Sequence, residues 1–378
     1  METLARNPFI LTPYVPKAYF CDRTEETAQL CKHILNSRSV ALFANRRLGK
    51  TGLIRHCFEQ KEIREGFNTF LVDIYSAGSI REMADLMAKE VFSRANVLGF
   101  KDKLLKGLKS IHPVIGYNEL TSSFSLSAGI GDIPEPQRTL EELIGIIDSL
   151  KKPSVMAIDE FQVIRNFKES NAEAYLRTVF QRCRNTVFIY TGSIGHSMNN
   201  IFKSPDKPFY NSAVMMTLGV LDREVYCEFA GRMFSLYGKT VEPSLVYKCY
   251  DYFDGVTWYV QLLMNEAFAQ TGRGESITER DFDAVYEAII ALQAFSYQEL
   301  FARFSQKQKD LLRAIANEGK EGASVTSQAF IDKYRIGPAS SIQTACMALN
   351  KNNFVTEEGG RKKITDLIFR DWIRNSGV

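Results

Sequence analysis

Five short apolar runs, separated by helix-length amphipathic stretches, set the pattern of the first 220 residues. The runs are 40–43, 69–74, 154–158, 187–191 and 213–218. They lack strict alternation of apolar and polar positions, as strands buried on both faces do. Helical periodicity fills the gaps, near 50–60, 79–96, 139–150, 171–183 and 194–202. Strands that alternate with helices predict an α/β fold in which a parallel sheet is covered on both faces. Residues 97–138 break the rhythm with Ser, Gly and Pro, and the short alternation from Ser122 to Ser127 predicts a small hairpin within an insertion.

Beyond residue 220 the pattern becomes helical, with candidate helices at 222–236, 242–253, 257–270 and 280–296. Thr278, followed three residues later by Asp281, reads as an N-terminal cap. A third unit follows. Helices are expected at 306–317, 327–334 and 340–351, with a turn at Ile336-Gly337-Pro338 before the last, then two β-like runs at 353–365 around Glu358-Gly359-Gly360. Three helices and a hairpin in this order predict a winged helix-turn-helix. The expected domains are 1–219, 220–300 and 301–378.

Composition narrows the partners more than the fold. The 378 residues are 45% hydrophobic and 24% charged, in the range of globular chains. The net charge of +3 does not by itself imply nucleic acid or an anionic membrane. The seven cysteines have no C-x-x-C spacing and the four histidines are isolated, so no zinc framework is visible, and the scattered thiols suggest a reducing cytoplasm. No leader is read at the N-terminus, and no apolar run nears the roughly 18 residues of a membrane span.

The candidate chemistry begins after the first run. Ala44, Asn45, Arg46, Arg47, Leu48, Gly49, Lys50 and Thr51, with Gly52 behind them, follow the phosphate-loop pattern G-x-x-x-x-G-K-[ST] except that alanine stands first. Backbone N–H groups of such a loop and of the helix leaving it cradle phosphates. Lys50 would add a point charge to them, and Thr51 a hydroxyl to Mg²⁺. If position 44 has negative φ, alanine fits at little cost. If it needs positive φ, the penalty is about 1 kcal/mol. The run 154–158 ends in Asp159-Glu160. Asp159 would hold the metal's water shell, and Glu160 would polarise the attacking water. Thr191 and Ser193 end the fourth strand, which in such a sheet lies between the loop and Asp159; either could touch the γ-phosphate or the water. Arg182 and Arg184 precede that strand and are read as a solvated helix end, or else as a charge offered to a neighbouring subunit.

Several of these segments resemble the archaeal-type ATPase family, which belongs with the STAND signalling relatives of AAA+ proteins. They are Asn7-Pro8-Phe9, the stretch from Tyr19 to Glu26, the loop Arg46-Arg47-Leu48-Gly49-Lys50-Thr51, the stretch from Ile158 to Gln162, Thr191-Gly192-Ser193, and the tail from Thr365 to Trp372. The resemblance covers nearly the whole chain. It implies a P-loop core, a helical lid, a winged helix, and an adenine-side region lined by Phe20, Asp22 and Arg23. Three positions depart from the family pattern: Ala44 for glycine, Ser212 for the arginine of Pro-Leu-Tyr-Gly-Arg, and Thr257 for the proline of the lid's Gly-x-Pro.

The expected function is an ATP-binding, Mg-dependent and slowly hydrolysing switch. The alternative is a DNA-associated ATPase, and a third reading is a scaffold that binds nucleotide without turnover. Residues 305–378 hold twelve Lys and Arg against eight Asp and Glu, a modest basic footprint. Ser341, Gln343, Thr344 and Lys351 on the third helix of the winged unit, with Arg361, Lys362 and Lys363 in the wing, are the candidate DNA contacts. A protein partner or a second copy is expected to carry any signal.

Overall fold

In the computed structural model each of the five apolar runs is a strand of one parallel sheet. The structure describes residues 5–12, 16–95, 97–107, 116–118, 123–125, 136–193 and 196–376. The strands are β1 (Val40–Ala44), β2 (Asn68–Asp73), the short β3 (Gly116–Asn118) and β4 (Ser123–Ser125), then β5 (Ser154–Asp159), β6 (Thr186–Ser193) and β7 (Val214–Leu218). The sheet runs β2-β5-β6-β1-β7, all parallel. The expected hairpin of the insertion is β3 paired antiparallel with β4; the rest of 108–135 lies outside the described residues, as do the first two residues of the helix expected at 194–202.

The continuous apolar character of the strands follows from burial on both faces. Along β1, Ala41 and Phe43 join one core cluster while Val40, Leu42 and Ala44 join the other. β5 divides likewise, with Met156 and Ile158 on one face and Val155 and Ala157 on the other. Phe161, Phe180, Phe188, Tyr190, Phe202 and Phe209 form an aromatic layer on the first face, with ring centroids about 4.6 to 6.5 Å apart. Helix α1 (Thr24–Leu35) and helix α2 (Lys50–Phe58) pack on the other, through Leu30, Ile34, Leu53 and Ile54. Sequence periodicity missed α1, the 3₁₀ turn Phe161–Asn166 and the C-terminal helix Leu367–Asn375.

The chain divides into two compact units. One comprises residues 10–229 with 256–259 and holds the sheet. The other comprises residues 1–9, 230–255 and 260–378. In the second unit, helix Pro243–Tyr252, most of helix Thr257–Gln270 and the 21-residue helix Phe282–Ala302 precede the winged helix. Thr278 and Asp281 form the expected capping box, ahead of a 3₁₀ turn that leads into Phe282–Ala302. The last of these helices runs past the expected 296 to Ala302, and Ser305 then caps Gln306–Asn317 in a second capping box with Gln308. Helices Gln328–Tyr334 and Ala339–Lys351 and the strand pair Val355–Glu358 and Arg361–Ile364 complete the winged helix.

Helix Leu367–Asn375 closes this unit. Asp366 caps it through Ile368 and Phe369 N–H, and Phe369 and Trp372 enter the core. Arg370 and Asp371 are both buried and joined by two hydrogen bonds of 2.8 and 2.9 Å. The hydroxyls of Tyr252 and Tyr286 also donate to Asp371, at 2.8 and 2.6 Å. Asp371 keeps its carboxyl below the usual range: burial alone would raise it, but the Arg370 guanidinium and the two hydroxyls outweigh that. The cluster thus ties the last helix to Pro243–Tyr252 and Phe282–Ala302 with every charge paired. Asp371→Ala strands the arginine and should cost about 3–5 kcal/mol in chemical denaturation, against about 1 kcal/mol for Tyr252→Phe.

Candidate functional site

β1 delivers the chain to the loop 45–49, and α2 leaves it. Gly49 has φ +90°, a conformation other residues adopt only with strain. Ala44 does not share it. It is fully buried as the last residue of β1, between Ser193 of β6 and Leu218 of β7, and is not among the positive-φ residues. Alanine in the first motif position is therefore an ordinary strand residue, and the tight backbone of the loop falls on Arg47 (φ +67°) and Gly49.

Arg47 is held by residues far away in sequence. Its carbonyl accepts from Trp258 N–H at 3.0 Å, and its guanidinium lies 4.7 and 4.6 Å from the Trp258 and Tyr259 ring centroids. These aromatics follow directly on Gly255-Val256-Thr257. Arg46 and Asn45 are exposed. Arg23 is a buried brace. It bonds Glu26 at 2.7 Å, the Leu48 carbonyl at 3.3 Å and the Gly219 carbonyl at 2.8 Å. Asp22 accepts from the Thr24 N–H and hydroxyl. Phe20 stacks on His56 of α2 at 4.0 Å, beside Gly52. Burial, with Lys17 nearby, holds His56 below its ordinary range, so this pair is a neutral stack at pH 7.

The parallel order brings the ends of β1, β6 and β5 side by side. Asp159, the last residue of β5, is bracketed by two hydroxyls. Thr51 of α2 donates to Oδ2 at 2.6 Å, and Thr191 of β6 makes a short hydrogen bond to Oδ1. Thr191 thereby holds Asp159 from the neighbouring strand. Ser193, beside Ala44, has a buried Oγ with no partner among the described residues. Glu160 follows at φ +57° and leads into the 3₁₀ turn Phe161–Asn166. Lys50 is buried beside both acids, its Nζ 3.5 Å from the Ala44 carbonyl. Burial lowers its pKa, Glu160 and Asp159 oppose that, and Arg46 adds to it.

This donor set fits Mg-nucleotide. A hydroxyl and a single carboxylate meet where a small hard cation could be shared with phosphate oxygens. A desolvated ammonium and an orphaned serine hydroxyl stand close by. Among the described residues no group of three or more His, Cys, Asp or Glu is assembled into a protein-only metal cage. Arg182 and Arg184 are exposed before β6, at the opposite end of the sheet from Ala44. Ser212 bonds the Phe209 carbonyl at 2.6 Å within a local turn.

In the wing the expected DNA-contacting cations are engaged. Arg361 donates to the Glu321 and Gly322 carbonyls at 2.9 and 2.8 Å, Lys362 pairs with Glu357, and Lys363 pairs with Glu358 at 2.8 Å. On helix Ala339–Lys351, Gln343, Thr344, Met347 and Lys351 are exposed while Ser341 is partly covered. Among the described residues no helix is long and apolar enough to cross a membrane.

Residues 295–375 match a family model described as a probable winged helix domain. No match was found among curated proteins. Among solved structures, the chain is similar to the Walker-type ATPase PABY2304 of Pyrococcus abyssi, with 20% identity over 97% of this chain and 99% of that one, and a TM-score of 0.63. It is also similar to the Aeropyrum pernix ORC1 protein solved in complex with DNA, with 11% identity over 98% and 97% and a TM-score of 0.55. At these identities the likeness defines the fold: a P-loop ATPase sheet followed by a helical region and a winged helix.

Two outcomes are expected of the loop. Ala44→Gly should leave Mg-ATP affinity within about twofold and lower stability by roughly 0.5–1 kcal/mol, since it loosens a strand without relieving strain. Lys50 carries fewer protons at alkaline pH when folded than when unfolded. It therefore costs stability below its folded pKa, and the cost fades as pH rises through the window up to its ordinary 10.5. A bound triphosphate favours the ammonium, so a calorimetric pH series up to 10.5, in two buffers of different ionisation enthalpy, should register proton uptake on nucleotide binding toward its alkaline end, absent in Lys50→Met.

Proposed function

We propose that the protein binds Mg-ATP and hydrolyses it slowly, as a molecular switch of the STAND type. The observation that carries this reading is the convergence of Lys50, Thr51, Asp159 and Glu160 at the ends of neighbouring strands. Lys50 and the loop N–H groups would hold the phosphates, while Thr51 and Asp159 would hold Mg²⁺. When bound, Mg²⁺ would supply charge neutralisation between the phosphates. Glu160 would take the proton of the attacking water, and Ser193 would offer its hydroxyl to the phosphate end. Phe20 on His56 offers a flat apolar surface for the base. Slow turnover is expected because Arg182 and Arg184 lie at the far end of the sheet, leaving transition-state charge to the loop or to a second molecule.

The switch reading also draws on helix Thr257–Gln270. It starts with Trp258 and Tyr259 on Arg47 and carries the chain into the winged-helix unit. A change in loop conformation would be felt at the first turn of that helix.

The second reading is a DNA-associated ATPase, supported by the winged helix and by the fold likeness to an ORC1 protein solved with DNA. The pairing of Lys362 and Lys363 with wing acids favours the switch. Phosphate release by wild type should fall at least about 100-fold in Glu160→Gln while Mg-ATP affinity is kept. Full turnover in Glu160→Gln, or no Mg-ATP binding by wild type, would contradict the proposal. A gel shift that weakens steeply with added salt would move the balance to DNA.

A further inference from the structure

Glu160 is not left to find its own orientation. The Gln162 side chain, two residues on in the 3₁₀ turn, donates its amide N–H to Glu160 Oε2 in a short hydrogen bond. A carboxylate only accepts, so the NH₂ end of the amide must face it and the carbonyl end must point away. That carbonyl, Oε1, is buried. It is packed against the backbone of Gly192, the residue of β6 between Thr191 and Ser193. A Cβ on Gly192 would sit 2.7 and 2.8 Å from Met198 Cγ and Sδ, and closer still to Gln162 Oε1. Gly192 has no positive φ, so its backbone does not call for glycine. The space left by its missing side chain is occupied by the glutamine and by Met198.

We propose that Gln162 is the positioning residue for Glu160, wedged over Gly192 so that the end of β6 fixes the direction of the carboxylate at the end of β5. The inference rests on the reading of Glu160 as the group that polarises water. The same strand end then serves two neighbours: Thr191 orients Asp159, and Gly192, through Gln162, orients Glu160. Rigid placement matters because a misplacement of about 1 Å at a reacting group can cost on the order of 100-fold in rate.

The test is steady-state phosphate release with the full chain, together with Mg-ATP affinity and melting temperature for each variant. Gln162→Met keeps the length of the side chain and removes the donor. It should lower kcat about tenfold or more with KM changed less than about twofold, the split expected of a group that orients without binding. Gln162→Glu should fall further, because it sets a second carboxylate against Glu160. Gly192→Ala should reproduce the loss, and combined with Gln162→Met should cost less than the product of the two single effects. In the Glu160→Gln background, Gln162→Met should change nothing more. A wild-type kcat in Gln162→Met, with Glu160→Gln inactive, overturns this inference alone. Wild-type turnover in Glu160→Gln overturns the underlying reading and this one with it.

Discussion

The carboxylate of Asp159 joins three elements that lie 108 and 32 residues apart along the chain. Thr51 approaches it from the first turn of α2 and Thr191 from β6, while Asp159 itself ends β5. Hydrogen bonds to a charged acceptor are the stronger kind, and these are largely shielded from water. They fix the start of α2, and with it Lys50 and the loop, against the strand that carries Glu160. Lys50 depends on this closure. Its buried ammonium is tolerable because Asp159 and Glu160 stand beside it. The geometry therefore sets a buried ammonium beside two carboxylates at neighbouring strand ends, a charge arrangement that suits a triphosphate shared with a divalent cation.

Two of the nine non-glycine residues with positive φ among the described residues belong to this site. Arg47, Gly49 and Glu160 all have positive φ. Arg47 is held from far away in sequence by Trp258 and Tyr259, and Glu160 by Gln162 of its own turn, which is wedged over Gly192. Conformations that cost energy in isolation persist where packing over-determines them, and they cluster where small displacements matter. The aromatic layer beneath Phe161 supplies that packing on one side, and the Arg23 brace on Leu48 and Gly219 supplies it on the other.

Much of this was legible in the sequence where the signal is local or repeated. Burial on both faces made the five strands readable to within a residue or two, and the capping box at Thr278 marks the helical start it encloses. The loop and the Asp159-Glu160 pair were legible because their chemistry needs fixed residues at fixed spacing. Trp258 and Tyr259 left no such signal, since their contact with Arg47 spans more than two hundred residues and has no period. The resemblance implied an adenine-side place for Arg23, and its bonds to Glu26 and to the carbonyls of Leu48 and Gly219, two of them far away in sequence, follow from no local pattern. The wing's basic run was read as a candidate phosphate contact, and the antiparallel register sets Glu357 opposite Lys362 and Glu358 opposite Arg361. Pairing across a hairpin is invisible to a count of charges.

The central claim is that Thr51 and Asp159 form one half of a metal site whose other half is the nucleotide. Electron paramagnetic resonance of Mn²⁺ added to the protein, with and without a non-hydrolysable ATP analogue, tests it directly. The account predicts protein-bound Mn²⁺ with ³¹P couplings only when the nucleotide is present, and loss of that signal in Asp159→Asn. Mn²⁺ bound equally well without nucleotide, or a ternary signal unchanged by Asp159→Asn, would contradict it.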